Sequence, residues 1–136
     1  MTETVDGAFP IVPYPDPRAA IDWLERAFGA VVTEMHPSDA GADEPLEHVE
    51  ILVGTGIVML SDTRRAGASP FALAGPVVVY VVVDDPDGLH ERAAAAGAEI
   101  IRGLTDQPYG SREFAARDGA GNIWSFGTYR PAAGPA

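Results

Sequence analysis

The sequence predicts an α+β fold built from two tandem βαβββ modules. Three observations lead to this prediction: an internal repeat, a helix with the same start and stop signals in each copy, and short apolar strands around it. The repeat relates PYPDPRAAIDWLERAFGAVV, residues 13–32, to VVVDDPDGLHERAAAAGAEI, residues 81–100. The Asp-Pro pair recurs 69 residues later and the Gly-Ala pair 68 residues later, so the two copies have nearly the same length.

Each copy contains one predicted helix. Asp16 and Asp85 can accept hydrogen bonds from the first N–H groups of these helices, and the proline after each suits the first helical position. Gly29 and Gly97 supply the left-handed residue just past the helix end. An apolar stripe follows the helical period, with Ala20, Ile21, Leu24, Ala27 and Phe28 in the first helix and Leu89, Ala93 and Ala96 in the second. We therefore expect each helix to pack on a sheet.

Eight strands complete the two modules. They are predicted over residues 9–14, 31–36, 46–53, 57–62, 77–83, 99–104, 111–117 and 122–129. The chain is predicted to be a single domain over residues 1–136. Module 1 covers about 8–63 and module 2 about 77–130, with a linker over 64–76 and a tail over 131–136. Phe71 and Leu73 are the linker residues with a reason to pack.

Composition excludes several classes of function. The formal net charge of −11 disfavours nucleic acid and anionic membranes as partners and favours cationic ligands. Cysteine is absent, so the chain has no thiolate nucleophile and no disulfide. Neither a basic N-terminal start nor an apolar run of about 20 residues is present. We therefore expect a cytoplasmic protein without a membrane partner.

A tandem βαβββ chain of this length resembles the vicinal oxygen chelate superfamily, which includes glyoxalases, dioxygenases and bleomycin-resistance proteins. The segments that carry the resemblance are DDPDGLHERAAAAGAEI and REFAARDGAGNIWSF, which are similar to bleomycin-resistance proteins, and HVEILVGTGIVMLSD, which is similar to the PhnB-like branch. The resemblance covers residues 9–130 and implies two sheets that curl around a cleft, often completed by a second subunit.

The resemblance also implies where a metal would be bound. Enzymes of the superfamily take one ligand from the first and the last strand of each module. In this chain those positions fall at Phe9, at Met59 or Leu60, at Val78 or Val79, and at Ser125. None of them is a suitable ligand for a hard or borderline metal ion. We therefore expect neither a metal nor another cofactor.

Other residues could still support chemistry. The potential metal ligands are His36, His48, Glu50, His90 and Glu113, and only His48 and Glu50 share one strand face at i, i+2 spacing. A noncanonical metal site using this pair is one alternative. Proton transfer by Glu50 or Glu113 with Tyr80 is another.

Strand alternation predicts which residues line the cleft. His48, Glu50 and Leu52 share one face, as do Glu113, Ala115 and Arg117, and Tyr80 shares the phase of Val78. Trp23, Trp124 and Phe126 are interpreted as packing residues, and Arg112 and Arg117 as solvated or paired with Asp118. The predicted ligand contacts are His48, Glu50, Tyr80, Glu113, Phe9, Met59 and Ser125.

These observations predict a homodimeric, metal-free small-molecule-binding protein that sequesters a cationic or aromatic antibiotic and has no catalytic residue. The main alternative is a lyase, isomerase or dioxygenase of the glyoxalase type, with metal-dependent or proton-transfer chemistry. A dimeric module that keeps the fold and binds nothing tightly is a third class, because fold alone does not determine function.

Overall fold

The computed structural model describes residue 5 and residues 9–65 and 75–131. Its element order is β1 (Ile11–Tyr14), α1 (Pro17–Phe28), β2 (Val31–His36), β3 (His48–Val53) and β4 (Gly56–Asp62), followed by a short 3-10 turn (Thr63–Arg65). The second half contains β5 (Val78–Val82), α2 (Pro86–Ala95), β6 (Glu99–Asp106), β7 (Arg112–Arg117) and β8 (Ile123–Gly127). The predicted βαβββ order is therefore found twice. Phe71 and Leu73 lie outside the described residues.

Two mixed four-stranded sheets carry the two halves. Their strand orders are β1-β4-β3-β2 and β5-β8-β7-β6. In each sheet the first strand runs parallel to the last, and the other pairs are antiparallel. The α+β fold predicted from the repeat is confirmed.

The helix signals act as the sequence indicates. The Asp16 carboxylate accepts from the N–H of Ala19 at 3.2 Å, and that of Asp85 accepts from the N–H of Gly88 at 3.0 Å. Gly29 and Gly97 have φ angles of 70° and 84°, the left-handed region that favours glycine. The local chemistry of each helix end therefore sets where the chain turns back toward its sheet.

The core lies between the helices and one face of each sheet. Phe28, at the end of α1, packs against the rings of Trp124 and Phe126 in β8, with centroid distances of 5.9 and 4.6 Å. Trp124 and Phe126 are fully buried, which confirms their interpretation as packing residues. Because a residue of the first half packs on the second sheet, the two halves share one core.

A buried carboxylate at the β7–β8 turn also joins the halves. The hydroxyl of Tyr14, at the end of β1, donates to Asp118 Oδ2 at 2.6 Å, and the Trp124 indole N–H donates to the same oxygen at 3.1 Å. The N–H groups of Ala120 and Asn122 donate to Asp118 Oδ1 at 3.0 and 2.9 Å. All four donors are protein groups, so this carboxylate is a structural acceptor.

Tyr14 gives this junction a pH dependence. Burial, then the negative charge of Asp118 and the hydrogen bond to it, raise the pKa of Tyr14 far above its ordinary value of 10.0. The folded protein therefore holds this proton to higher pH than the unfolded chain does. The resulting stability is complete below about pH 10 and is lost as the pH rises above it.

We expect the free energy of unfolding to fall above about pH 10, and to fall less in Tyr14→Phe, which has no phenol to ionise. Urea unfolding of both proteins at neutral and at alkaline pH measures the difference. An equal fall in the two proteins would contradict this assignment.

Candidate functional site

Each sheet has a second face that no helix covers, here called its open face. Val49, Ile51 and Val53 of β3 are buried on the helix side, so His48, Glu50 and Leu52 lie on the open face. Phe114 of β7 packs against His90 of α2 with a centroid distance of 5.2 Å. Glu113 therefore lies on the open face of the second sheet. The alternation predicted from the sequence agrees with both strands.

The open face of the first sheet carries a histidine–carboxylate pair. His48 Nε2 lies 2.5 Å from Glu50 Oε2, and both side chains are partly exposed. The ring of His36 stacks beside that of His48, with a centroid distance of 6.1 Å. Met59 is the register partner of Glu50 on the neighbouring strand. An imidazole held by a carboxylate can accept a proton from a substrate.

Phe9 is partly buried and precedes β1 rather than lying in it. The predicted strand over residues 9–14 is therefore two residues too long at its start. The nearest register partner of Met59 in β1 is Ile11. Phe9 and Met59 thus belong to the first half of the molecule together with His48 and Glu50.

The open face of the second sheet carries a buried carboxylate. The Glu113 side chain is only 5% exposed. The Tyr109 hydroxyl lies 2.9 Å from each of its two oxygens, and Arg102 Nη1 lies 3.5 Å from one of them. The hydrogen bond to Glu113, followed by burial, raises the pKa of Tyr109. Tyr109 therefore remains a neutral donor to this carboxylate at physiological pH.

Tyr109, which contacts this carboxylate, groups with two further tyrosines, and the three are here called the tyrosine cluster: Tyr80, Tyr109 and Tyr129. The Tyr80 hydroxyl donates to the carbonyl oxygen of Tyr129 at 2.7 Å, and the rings of Tyr109 and Tyr129 meet edge to face at 5.9 Å. All three side chains are exposed. Ser125 is the register partner of Tyr80 and completes the predicted set on this sheet.

The seven predicted ligand contacts thus form two groups, one on each sheet. Among the described residues, no hydrogen bond or ion pair joins His48 or Glu50 to Glu113. The suggested pairing of Arg112 and Arg117 with Asp118 is wrong. Arg112 binds Asp87 and Asp106, and Arg117 binds Glu99, because these acids face them from α2 and β6.

Sequence reasoning missed the roles of Arg102 and Tyr129. Arg102 reaches Glu113 from the neighbouring strand β6, whose pairing with β7 shifts register on both sides of Arg102. Such an irregularity leaves no signal in the alternation of residues. Tyr129 follows β8 beyond its last paired residue, where its contacts with Tyr109 and Tyr80 give it a role.

The metal positions implied by the fold do not fit a divalent ion. Leu60 and Val79 are buried on the helix side, which leaves Met59 and Val78 as the open-face residues of those strands. Together with Phe9 and Ser125 they offer a thioether and a hydroxyl but no imidazole or carboxylate. Within residues 9–65 and 75–131, no three histidine or acidic side chains converge into a group that could hold a metal.

Neither α1 nor α2, the helices of the described residues, has the length and hydropathy that a membrane-spanning helix requires.

The model of the Glyoxalase/Bleomycin resistance protein/Dioxygenase superfamily matches residues 8–126.

Two mycobacterial proteins are similar in sequence. Protein Mb0911c of Mycobacterium bovis is 34% identical over 118 residues, covering 82% of this chain and 76% of its own length. Protein Rv0887c of Mycobacterium tuberculosis is 34% identical over 118 residues, covering 82% of this chain and 68% of its own length.

Solved structures show the same fold. TioX from Micromonospora sp. ML1 superposes with a TM-score of 0.72 at 33% identity, covering 89% of this chain and 98% of TioX. Lactoylglutathione lyase from Agrobacterium tumefaciens superposes with a TM-score of 0.68 at 19% identity, covering 91% of this chain and 94% of the lyase, a likeness of fold alone. The family match spans most of the chain and agrees with the two-sheet topology. The chain belongs to the Glyoxalase/Bleomycin resistance protein/Dioxygenase superfamily.

Proposed function

We propose that this protein binds a cationic, aromatic small molecule, such as an antibiotic, and sequesters it without metal or chemistry. The observation that carries the proposal is the buried Glu113 carboxylate with the exposed tyrosine cluster beside it. A carboxylate removed from water gains most from a positively charged partner, and tyrosine rings attract cations and stack on flat molecules. Arg102 lies at 3.5 Å and is half exposed, so a ligand cation can replace it.

The charge of the whole chain supports the same ligand class. A net charge of −11 raises the local concentration of cations around the protein and increases their rate of association. Glu50, on the open face of the first sheet, adds a second acidic group. The field of the protein and the local acid of the site therefore favour the same sign of ligand.

The proposal includes a homodimer. Large apolar side chains are exposed on both open faces, among them Ile11, Leu52 and Val78. A second copy that covers these faces would bury them and bring Glu50 and Glu113 of different subunits to one cleft. The homodimer and the cytoplasmic location stay predictions.

Titration with 9-aminoacridine, a planar aromatic cation, and with bleomycin tests the proposal. Calorimetry on the protein and on Glu113→Gln is expected to show saturable binding that weakens at least about tenfold in the variant, about 1.4 kcal/mol. Glutamine has the same size as glutamate, and its amide oxygen can still accept the hydrogen bond from the Tyr109 hydroxyl. Glu91→Gln, an exposed position on α2 with the same charge change, is the matched control. Equal affinities in the two variants would exclude Glu113 as a ligand contact.

A proton-transfer enzyme is the second candidate, favoured by the 2.5 Å contact between His48 and Glu50. Mass spectrometry of the two probes after a day with the protein separates the candidates. Unchanged probes support sequestration, whereas a product that disappears in His48→Ala would establish an enzyme.

A further inference from the structure

A pocket lies on the helix side of the molecule, away from the tyrosine cluster. It has a volume of about 400 Å³ and is bounded by the start of the first half and by residues 118–120 of the β7–β8 turn. This volume lies within the range of about 300–1,000 Å³ found for small-molecule sites. It is here called the α1 pocket, because one of its walls is formed by the N-cap residue and four residues of α1. These are Asp16, Ala19, Ala20, Trp23 and Arg26.

Trp23 provides a flat apolar wall. Its ring meets the ring of Phe28 edge to face at 5.0 Å, a contact that restrains the indole on one side. Trp23 is only partly buried, and Pro15, Ala19 and Ala20 extend the apolar surface along the helix. A planar aromatic molecule is the ligand that such a wall accommodates.

Arg26 supplies a cation one helical turn beyond Trp23, at the i, i+3 spacing that places two side chains on one face. All 9 basic residues of the chain are arginines. Among the described residues, Arg26 is the one arginine whose side chain has no hydrogen bond or ion pair with another described residue. The other eight have such contacts. Its guanidinium is thus available to an anionic group of a ligand.

The acidic residues of the pocket do not cancel this charge. Asp16 begins α1 and accepts from the helix N–H of Ala19. Ten residues of helix, about 15 Å at a rise of about 1.5 Å per residue, separate it from Arg26, which is more than the screening length in physiological salt. Asp118 is buried and accepts from four protein donors. Neither acid of the pocket lining forms an ion pair with Arg26, whose guanidinium is the cationic group that the pocket offers to a ligand.

We propose that the α1 pocket is a second ligand site, which binds a planar aromatic molecule with a carboxylate. The ring lies against Trp23 and the carboxylate pairs with Arg26. This ligand class has the opposite charge to the one proposed for the tyrosine cluster. The two sites lie on opposite sides of the sheets and are tested independently.

The probe is 2-naphthoate, followed by the two indole N–H signals of the protein in ¹H–¹⁵N NMR spectra. The chain has 2 tryptophans, and Trp23→Phe assigns the signals by removing one of them. We expect a saturable shift of the Trp23 signal, weakened about tenfold in Arg26→Gln. Arg18→Gln, which removes the same charge from the same helix outside the pocket, is expected to bind like the unchanged protein.

Two further probes test the ligand class, since 2-naphthamide and 2-naphthylmethylammonium keep the ring and change the charge. We expect both to bind more weakly than 2-naphthoate. An unmoved Trp23 signal, equal affinity in Arg26→Gln and Arg18→Gln, or tighter binding of the ammonium probe would each overturn the proposal. Glu113→Gln should leave naphthoate binding unchanged, so a failure here is distinguishable from a failure of the function proposed for the tyrosine cluster.

Discussion

Asp118→Ala is expected to lower the free energy of unfolding by about 3–5 kcal/mol, because it leaves buried donors without an acceptor. The Tyr14 hydroxyl and the Trp124 indole N–H both donate to one oxygen of this carboxylate, and Trp124 is fully buried. The other oxygen accepts from two N–H groups of the β7–β8 turn. One substitution therefore disrupts both the turn and the junction between the two halves.

Urea unfolding measures this loss of stability. Asp118→Asn separates the contributions of the two carboxylate oxygens. Asparagine keeps one oxygen acceptor and presents an N–H₂ group at the other position, so we expect an intermediate loss of stability. Asp39→Ala, an exposed aspartate in the loop after β2, serves as the control for removing one negative charge. If Asp118→Ala unfolded at the same urea concentration as the control, the junction between the two halves would not depend on this carboxylate.

The helices and strands were predictable because their signals are local. Asp16 caps α1 through an N–H three residues later, and the alternation in β3 depends on adjacent residues only. Strand ends were predicted less well. β6 extends to Asp106 instead of residue 104, and β8 ends at Gly127 instead of residue 129. Pairing with a neighbouring strand decides these ends, and it is not encoded in the strand itself.

The junction was not predictable, because its partners are far apart in the chain. Tyr14 and Asp118 are separated by 104 residues, and nothing near either residue indicates the other. Asp118 sits in a glycine-rich turn, where an exposed aspartate is the ordinary expectation. Its burial depends on how the second sheet packs against β1, which is a tertiary event.

The candidate site was predictable in part. Alternation placed Glu113 and Tyr80 on the open face, as the structure has them. The contact between Tyr109 and Glu113 spans four residues, but it requires the chain to turn back at Gly110, whose φ is 88°. The sequence identified the acid, whereas its tyrosine partners required the structure.

Gly127→Ala is expected to lower the free energy of unfolding by about 1–3 kcal/mol and to weaken binding of the cationic probes. A Cβ at this position would lie 2.6 Å from Glu113 Cγ, 2.8 Å from the Tyr80 hydroxyl and 2.9 Å from Ser111 Oγ. These distances are shorter than nonbonded contacts allow, so the alanine must displace the carboxylate and the tyrosine together. Glycine here is what allows Glu113 and Tyr80 to approach each other.

The matched control is Gly103→Ala, in β6 of the same sheet, where an added Cβ meets nothing within 4 Å. Both variants add one methyl group to a strand of the second sheet. The difference between their stabilities therefore isolates the effect of crowding around Glu113. Urea unfolding reports the stability of each variant, and calorimetry with 9-aminoacridine reports its affinity. If Gly127→Ala unfolds like the control and binds like the unchanged protein, Glu113 and Tyr80 are not held in the arrangement described here. A loss in Gly127→Ala alone would show that this arrangement, beyond the charge of Glu113, is required for the ligand.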